Sequence, residues 1–278
     1  MVSRKSETDW TPEIMSRWHG YYVRTHPQSF SSCKWGEGIL NLLKTTENLS
    51  GNVLDYGCGP GYLIDYLLRE DVNCYGIDVC REAIDVTNEK YKTNEKWHGA
   101  FKIDGAPTPF DDNFFDVVTC IEVFEHLASE ELLATIHEIR RILRPGGIAF
   151  FTAPYASKDL EESLKSMIYC PFCDSEFQKV PHLQSFDVNS LEQVLAASDF
   201  TVLFCQRLKP EDFQSSSRLG GSMALRSYYY SRDFYNHSKN RLNRLLDIAF
   251  NTRFPFKREI LKQSGKGPHL CAIATKRL

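Results

Sequence analysis

The tightest constraint lies early in the chain, where an apolar run from Asn52 to Tyr56 breaks into Gly57-x-Gly59-x-Gly61 and resumes as a helical pattern from Tyr62 to Arg69. A strand that ends in bare glycines and re-enters as a helix puts main chain against a ligand. Glycine lets the ligand approach the backbone, and the helix start offers unpaired N–H groups. The same change of period recurs down the chain. Strand-like runs cover Asn73 to Ile77, Ala100 to Ile103, Phe115 to Ile121, Gly147 to Thr152, Thr201 to Gln206 and Leu270 to Thr275. Helical patterns cover Arg81 to Tyr91, Glu130 to Leu143 and Ser190 to Ser198, and "RPGG", Arg144 to Gly147, is expected to stop a helix and start a strand. This alternation calls for an α/β domain with a mostly parallel sheet.

Two regions fall outside it. Residues 1–48 form an aromatic-rich leader, expected to be helical, containing "RWHGYY" and "CKWGEGILNLL". Residues 209–267 separate the last two strands as a basic, aromatic insertion that carries "SSSRLGGS". The organisation read from the sequence is a leader (1–48), a core domain (49–208 plus 268–278) and the insertion (209–267). The whole chain carries a formal charge of −3, yet from Thr201 onward Lys and Arg exceed Asp and Glu by about ten. The start of the chain lacks the apolar run of a secretory signal, and no later run is long and apolar enough to span a bilayer, so the expected location is the cytoplasm. Nine cysteines fit that reading, because Cys74, Cys80, Cys120, Cys205 and Cys271 lie among apolar residues as small buried hydrophobes.

The glycine turn departs from both common phosphate signatures. The dinucleotide fingerprint carries its third glycine one place later, where Tyr62 stands, and a phosphate loop would need Lys followed by Ser or Thr. Asp55, at the end of the first strand, would repel a pyrophosphate but could pair with an ammonium group. Asp78, after the second strand, can accept both hydroxyls of a ribose, and Asp104, after the third, can accept an adenine amino group. An amino acid end, a ribose and an adenine in one ligand describe S-adenosylmethionine.

Four linked motifs then carry a family resemblance: "VLDYGCGPGYL", "YGIDVCREAI", "FKIDGAPTPFDDNFFDVVTCIEVFEHL" and "RILRPGGIAFFTAP". In that order and spacing the chain resembles the class I S-adenosylmethionine-dependent methyltransferases, within the ubiquinone-pathway O-methyltransferase-like group of methyltransferase types 11 and 12. The resemblance implies a Rossmann-like sheet of seven strands whose last, "HLCAIATKR", inserts antiparallel. It also implies a cofactor site. Asp55, Gly57, Cys58, Gly59 and Gly61 would shape the methionine end, Asp78 and Val79 the ribose, Asp104 and Gly105 the adenine edge, and Ile121 and Glu122 the border after the fourth strand.

Two clusters are candidates for activating an acceptor. "EVFEHL" supplies Glu122, Glu125 and His126; if the segment turns helical after the strand, these side chains can share a face and hold a hard divalent cation such as magnesium. A similar Glu-x-x-Glu-His occurs in ubiquinone-pathway O-methyltransferases and small-RNA 3′-end methyltransferases, where it is associated with metal. His182 could add a ligand from beyond the fifth strand. The alternative is a helix cap with a polar cofactor rim, His126 acting as the base. The second cluster, "CPFCDSEFQKVPH", offers Cys170, Cys173 and His182 for zinc, although a structural zinc site takes four ligands and three are identifiable. His182 cannot readily serve both clusters.

Tyr155 to Phe186 are expected to wall the acceptor, with Tyr155, Tyr169, Phe172 and His182 as contacts; Trp18, His19 and Tyr21 could close the cofactor from the leader. "LRSYYYSRDFY" is compatible with stacking on bases or sugars, and "RLNRLLDIAF" with a membrane surface, while packing on the core explains both. The function expected is in-line methyl transfer to a hydroxyl of a small molecule, glycan or lipid-linked intermediate. RNA methylation and a non-catalytic, cofactor-binding partner subunit are the alternatives.

Overall fold

The computed structural model describes residues 3–4, 10–44, 46, 49–157, 167–170, 175–178, 181–210 and 267–277. In chain order the elements are β1 (Ser3–Arg4), α1 (Pro12–Thr25), α2 (Ser31–Lys44), β2 (Gly51–Tyr56), α3 (Tyr62–Leu67), β3 (Val72–Asp78), α4 (Arg81–Tyr91), β4 (Trp97–Lys102) and β5 (Phe115–Ile121). They continue with α5 (Ser129–Ile142), β6 (Leu143–Pro154), β7 (Met167–Cys170), β8 (Ser175–Gln178), α6 (Val188–Ala197), β9 (Phe200–Leu208) and β10 (His269–Lys276). Most of the insertion, Phe172 and Cys173 lie outside the described residues.

Seven strands form one sheet in the order β4-β3-β2-β5-β6-β10-β9. Strands β2 to β6 run parallel, and β10 enters antiparallel between β6 and β9. The expected Rossmann-like methyltransferase sheet, mostly parallel with an antiparallel last strand, is therefore the one observed. A separate small sheet has the order β1-β8-β7.

The sheet has a core layer on each face, and the period of two decides which residue joins which. Along β6, Ile148 and Phe150 pack with α2 and α3 on one face, while Ala149, Phe151 and Ala153 pack with α5 and α6 on the other. Strand β5 is buried at all seven positions, as expected of a central parallel strand covered on both faces. Leu132, Ile136 and Ile139 recur at helical spacing on α5 and all point into the core.

Several boundaries shift by a few residues from the sequence reading, and one of them has a clear cause. Helix α5 ends at Ile142 and Leu143 is already extended. Pro145 explains this, because the residue before a proline is driven out of the helical region and the helix must stop earlier. Segment Arg144 to Gly147 is accordingly part of β6.

The leader docks as two helices. Helix α2 buries Trp35, Ile39, Leu42 and Leu43 beneath the sheet. Helix α1 is fastened near its C-terminal end, where Val23 packs on Cys80 and Ala83 and Arg24 pairs with Glu82 of α4. Among the described residues no helix is long and apolar enough to cross a membrane.

Candidate active site

The chain runs from β2 outward to β4, then returns to place β5 on the other side of β2. Such a reversal opens a crevice at the strand C-termini, where ligands bind in open α/β sheets. A cavity of about 600 Å³ lies there, lined by the glycine turn, by the ends of β3 and β5 and by the leader. Gly57, Gly59, Asp78, Val79, Asp104, Gly105, Ile121 and Glu122 all line it. The expected cofactor residues thus largely meet in one place.

Three of them do not line it. Cys58 is buried against Ile84 and Ala100, so its thiol belongs to the core. Gly61 stands at the start of α3 with φ of 75°, packed towards Thr87 and Tyr91. Asp55 is 2% exposed and lies beneath the turn, where its Oδ1 accepts a 2.8 Å hydrogen bond from Thr119 Oγ1 on the neighbouring strand. Burial, partly offset by that hydroxyl, pushes its carboxyl up to about 7.

Asp78 is built into the turn as well as exposed to the cavity. Its Oδ2 accepts from Gly59 N at 2.9 Å and its Oδ1 from Cys80 N at 2.7 Å, so one carboxylate fixes both the glycine turn and the start of α4. Burial raises its pKa, against the lowering effect of these backbone donors. Each oxygen keeps acceptor capacity for a ligand hydroxyl.

Also lining the cavity, ligand atoms of Glu125, His126 and His182 all lie within 4.8 Å of one another. The segment carrying Glu125 and His126, considered from the sequence as helical if it turned after the strand, makes a single 3-10 turn, Phe124–His126. The cause is Glu122, whose φ of 53° ends β5 abruptly before a helix can start. His182 arrives because residues 181–184 are stitched to this turn. Leu183 N and Gln184 N donate to Glu125 O at 2.6 and 3.1 Å, and His126 Nδ1 is 2.8 Å from Pro181 O. A carbonyl can only accept, so Nδ1 carries the proton and Nε2 keeps its lone pair.

Burial and neighbouring imidazoles hold His126 and His182 down to about 4, and burial does the same for His19. Burial and the nearby Glu122 push Glu125 well up. Glu125 Oε2 and His182 Nδ1 are buried without hydrogen-bond partners among the described residues. Glu125 Oε2, His182 Nδ1 and the His126 Nε2 lone pair make a donor set that, once Glu125 gives up its proton, fits a divalent transition metal better than magnesium, which prefers oxygen. Zinc through Cys170, Cys173 and His182 finds a different setting: Cys170 ends β7, Cys173 is outside the described residues, and His182 lies 5.0 Å from His126 between ring centroids.

The leader closes the cavity beside this cluster. Trp10, Trp18, His19, Tyr22 and Phe30 line the cavity, and the rings of Trp18 and His19 lie 6.3 and 5.7 Å from that of His126. Tyr21 is 49% exposed and faces away. Tyr155 does not line the cavity, its ring lying 3.8 Å from the Arg207 guanidinium. Sequence reasoning passed over His269, a cavity residue that opens β10; its one signal was a polar residue at the edge of an apolar strand.

The family description "Methyltransferase domain" matches residues 27–203, more than half of the chain. The chain belongs to that family. This methyltransferase is 26% identical over 201 residues to the ubiquinone biosynthesis O-methyltransferase of Vibrio cholerae, covering 69% of the chain and 79% of that protein. Its fold matches a chain in the complex of the Haloferax volcanii Trm112 methyltransferase activator with a putative methyltransferase, with TM-score 0.60, 14% identity and coverage of 94% and 98%. An S-adenosylmethionine-dependent methyltransferase from Clostridium acetobutylicum matches with TM-score 0.58, 12% identity and coverage of 95% and 100%. The methyltransferase is accordingly a class I enzyme that uses S-adenosylmethionine.

Proposed function

We propose that the enzyme methylates a hydroxyl group of a small acceptor, activated by Glu125, His126 and His182. The meeting of these three side chains in the same cavity carries the reading. A hydroxyl of ordinary pKa is a poor nucleophile, and a buried cluster of bare lone pairs supplies what an amine or thiol acceptor would not need. The similarity to a ubiquinone biosynthesis O-methyltransferase points the same way. The aromatic wall of Trp18, Tyr22 and Phe30 suits an acceptor with a planar or apolar body, whether a free small molecule or the head of a lipid-linked one.

In this reading Asp78 and Val79 receive the ribose, Asp104 and Gly105 the adenine edge, and Gly57 and Gly59 the methionine end. His126 Nε2 takes the acceptor proton. The Pro181 carbonyl holds the imidazole in the tautomer that leaves this nitrogen free. Trp18 and His19 exclude water, and the cavity aligns the acceptor oxygen with the S–CH₃ bond, so positioning carries much of the rate. In the alternative to His126 as base, Glu125, His126 and His182 would hold a divalent metal, which when bound would itself lower the pKa of the acceptor hydroxyl, His126 Nε2 then serving as a ligand and not as the proton acceptor.

The test is methyl transfer to a panel of hydroxylated aromatic compounds, with RNA as a second panel, before and after chelation. Glu125→Gln and His126→Ala should each lower kcat, the latter by roughly 10²- to 10⁴-fold, the usual range for loss of an acid–base group, while S-adenosylhomocysteine affinity stays within about threefold. Unchanged kcat in both variants, or turnover of RNA alone, would overturn the reading.

A further inference from the structure

A second group of unsatisfied polar atoms borders the metal-type cluster, with Glu122 close enough to act on the Glu125 carboxyl. Glu122 Oε1, His269 Nδ1 and Trp35 Nε1 are all buried, and none has a hydrogen-bond partner among the described residues. Three elements bring them together. Glu122 follows β5, His269 opens β10 opposite Pro154 at the end of β6, and Trp35 rises from α2 to place its ring 4.0 Å from that of His269. His269 Nδ1 is 3.3 Å from Glu122 Oε2. Glu122 and His269 both line the cavity.

Buried polar atoms in a native protein are almost always paired, so an unpaired carboxylate oxygen facing a cavity calls for a donor from a ligand. The backbone gives a second, independent indication. Glu122 has φ of 53°, a conformation costing roughly 1–3 kcal/mol for a side-chain-bearing residue, and such outliers cluster at ligand clamps. It is held there by Glu122 N, which reaches Thr152 O at 3.1 Å and Thr152 Oγ1 at 3.2 Å.

The strand register says which part of the ligand lies alongside. Strands β2 and β5 pair Tyr56 with Cys120, so the glycine turn after Tyr56 and Glu122 after Ile121 emerge side by side. That is the methionine end of the cofactor in the reading above, and its α-ammonium needs an anionic partner. Asp55, the carboxylate expected from sequence to serve, is sealed below the turn and bonded to Thr119. The metal-type cluster does not include Glu122.

We propose that Glu122, oriented by His269, receives the α-ammonium group of the cofactor's methionine end, and that Asp55 does not. His269 is a positioning residue, steadied by the Trp35 ring behind it. The assignment rests on the cofactor-binding reading of the cavity and refines it.

The test compares two ligands by calorimetry: S-adenosylhomocysteine, and its analogue with hydrogen in place of the α-amino group. A hydrogen bond to a charged group is worth roughly tenfold to a hundredfold in affinity, so wild type should prefer the amine-bearing ligand by about that factor. Glu122→Gln should reduce the preference to about threefold or less while leaving affinity for the analogue unchanged, which isolates the pairwise interaction. His269→Ala should weaken the amine-bearing ligand alone, and His269→Asn, which keeps a donor near the Nδ1 position, should restore most of the loss. Equal weakening of both ligands, or a preference that survives both Glu122→Gln and His269→Ala, overturns the proposal. Should Glu122→Gln fail to fold, the two His269 variants decide by the same comparison. Wild-type protein that binds neither ligand removes the cofactor reading as well, whereas wild type that binds both equally removes this assignment alone.

Discussion

Asp55 illustrates how far a residue's identity can be read without its neighbours. The sequence places a carboxylate at the end of a strand before a glycine turn, and the expectation of a ligand contact follows from charge alone. What it does not disclose is the register that pairs Asp55 with Thr119 across β2 and β5, turning the side chain into the sheet. Glu122 was legible as a border residue, but its partner lies far away in sequence, at the start of β10, and no local pattern links the two. Burial raises Asp55 from 3.8 to about 7, so between those values the folded chain holds a proton the unfolded chain has released. Its contribution to stability is therefore largest at low pH, falls as pH rises from about 4 to 7, and levels off above. Asp55→Asn, which keeps an acceptor for Thr119, should match wild type near pH 4 and exceed it by up to about 4 kcal/mol at pH 8. Urea unfolding of the ligand-free protein at both pH values checks this; equal stability at pH 8 would mean that the carboxyl ionises freely.

At the scale of elements, most of the sheet was legible because two signals coincide there, strand-like apolar runs and turn residues at their ends. Helices α4 and α5 were readable from their apolar spacing. The turn at Phe124–His126 was not, because its departure from a helix depends on backbone strain at Glu122 and on stitching to residues 181–184. Helix α3 begins at a position where glycine is required twice over. Gly61 has φ of 75°, and a Cβ there would lie 2.7 Å from Thr87 Cγ2 and 2.9 Å from the Tyr91 ring. The backbone at Gly61 also anchors α4, since Tyr91 Oη donates to Gly61 O at 2.7 Å. Gly61→Ala should therefore cost about 1–3 kcal/mol and lower Tm by several degrees. Because Gly61 does not line the cavity, cofactor affinity measured well below Tm should change far less than stability. A large loss of affinity in stably folded protein would instead make Gly61 a ligand contact.

For the molecule as a whole, the class of fold and the cofactor were both readable, since four motifs in fixed order leave few other sheets available. The acceptor was not, because the cavity walls around His126 come from α1 and from His182, whose placement follows from tertiary contacts rather than from any motif. Binding and folding are linked through the cavity. A ligand at about a hundred times its Kd adds close to 2.7 kcal/mol to the stability of the fold, so saturating S-adenosylhomocysteine should raise Tm of the wild type by several degrees. Asp78→Ala should lower Tm without ligand, by leaving Gly59 N and Cys80 N unpaired, and should lose most of the ligand-dependent rise. A full rise in the variant would place the ribose elsewhere.

The late position of β10 bears on how the chain is made. Strand β9 ends the sheet order with β10 as its sheet neighbour, and β6 meets β9 only through β10. While the ribosome is still translating the segment before His269, β6 therefore presents an unfilled edge and β9 has no strand beside it in this sheet. At about 5–20 residues per second that interval lasts several seconds, long enough for two apolar edges to attract other chains. Nascent chains stalled before His269 should consequently recruit holding chaperones, and release of a chain containing β10 should end that dependence.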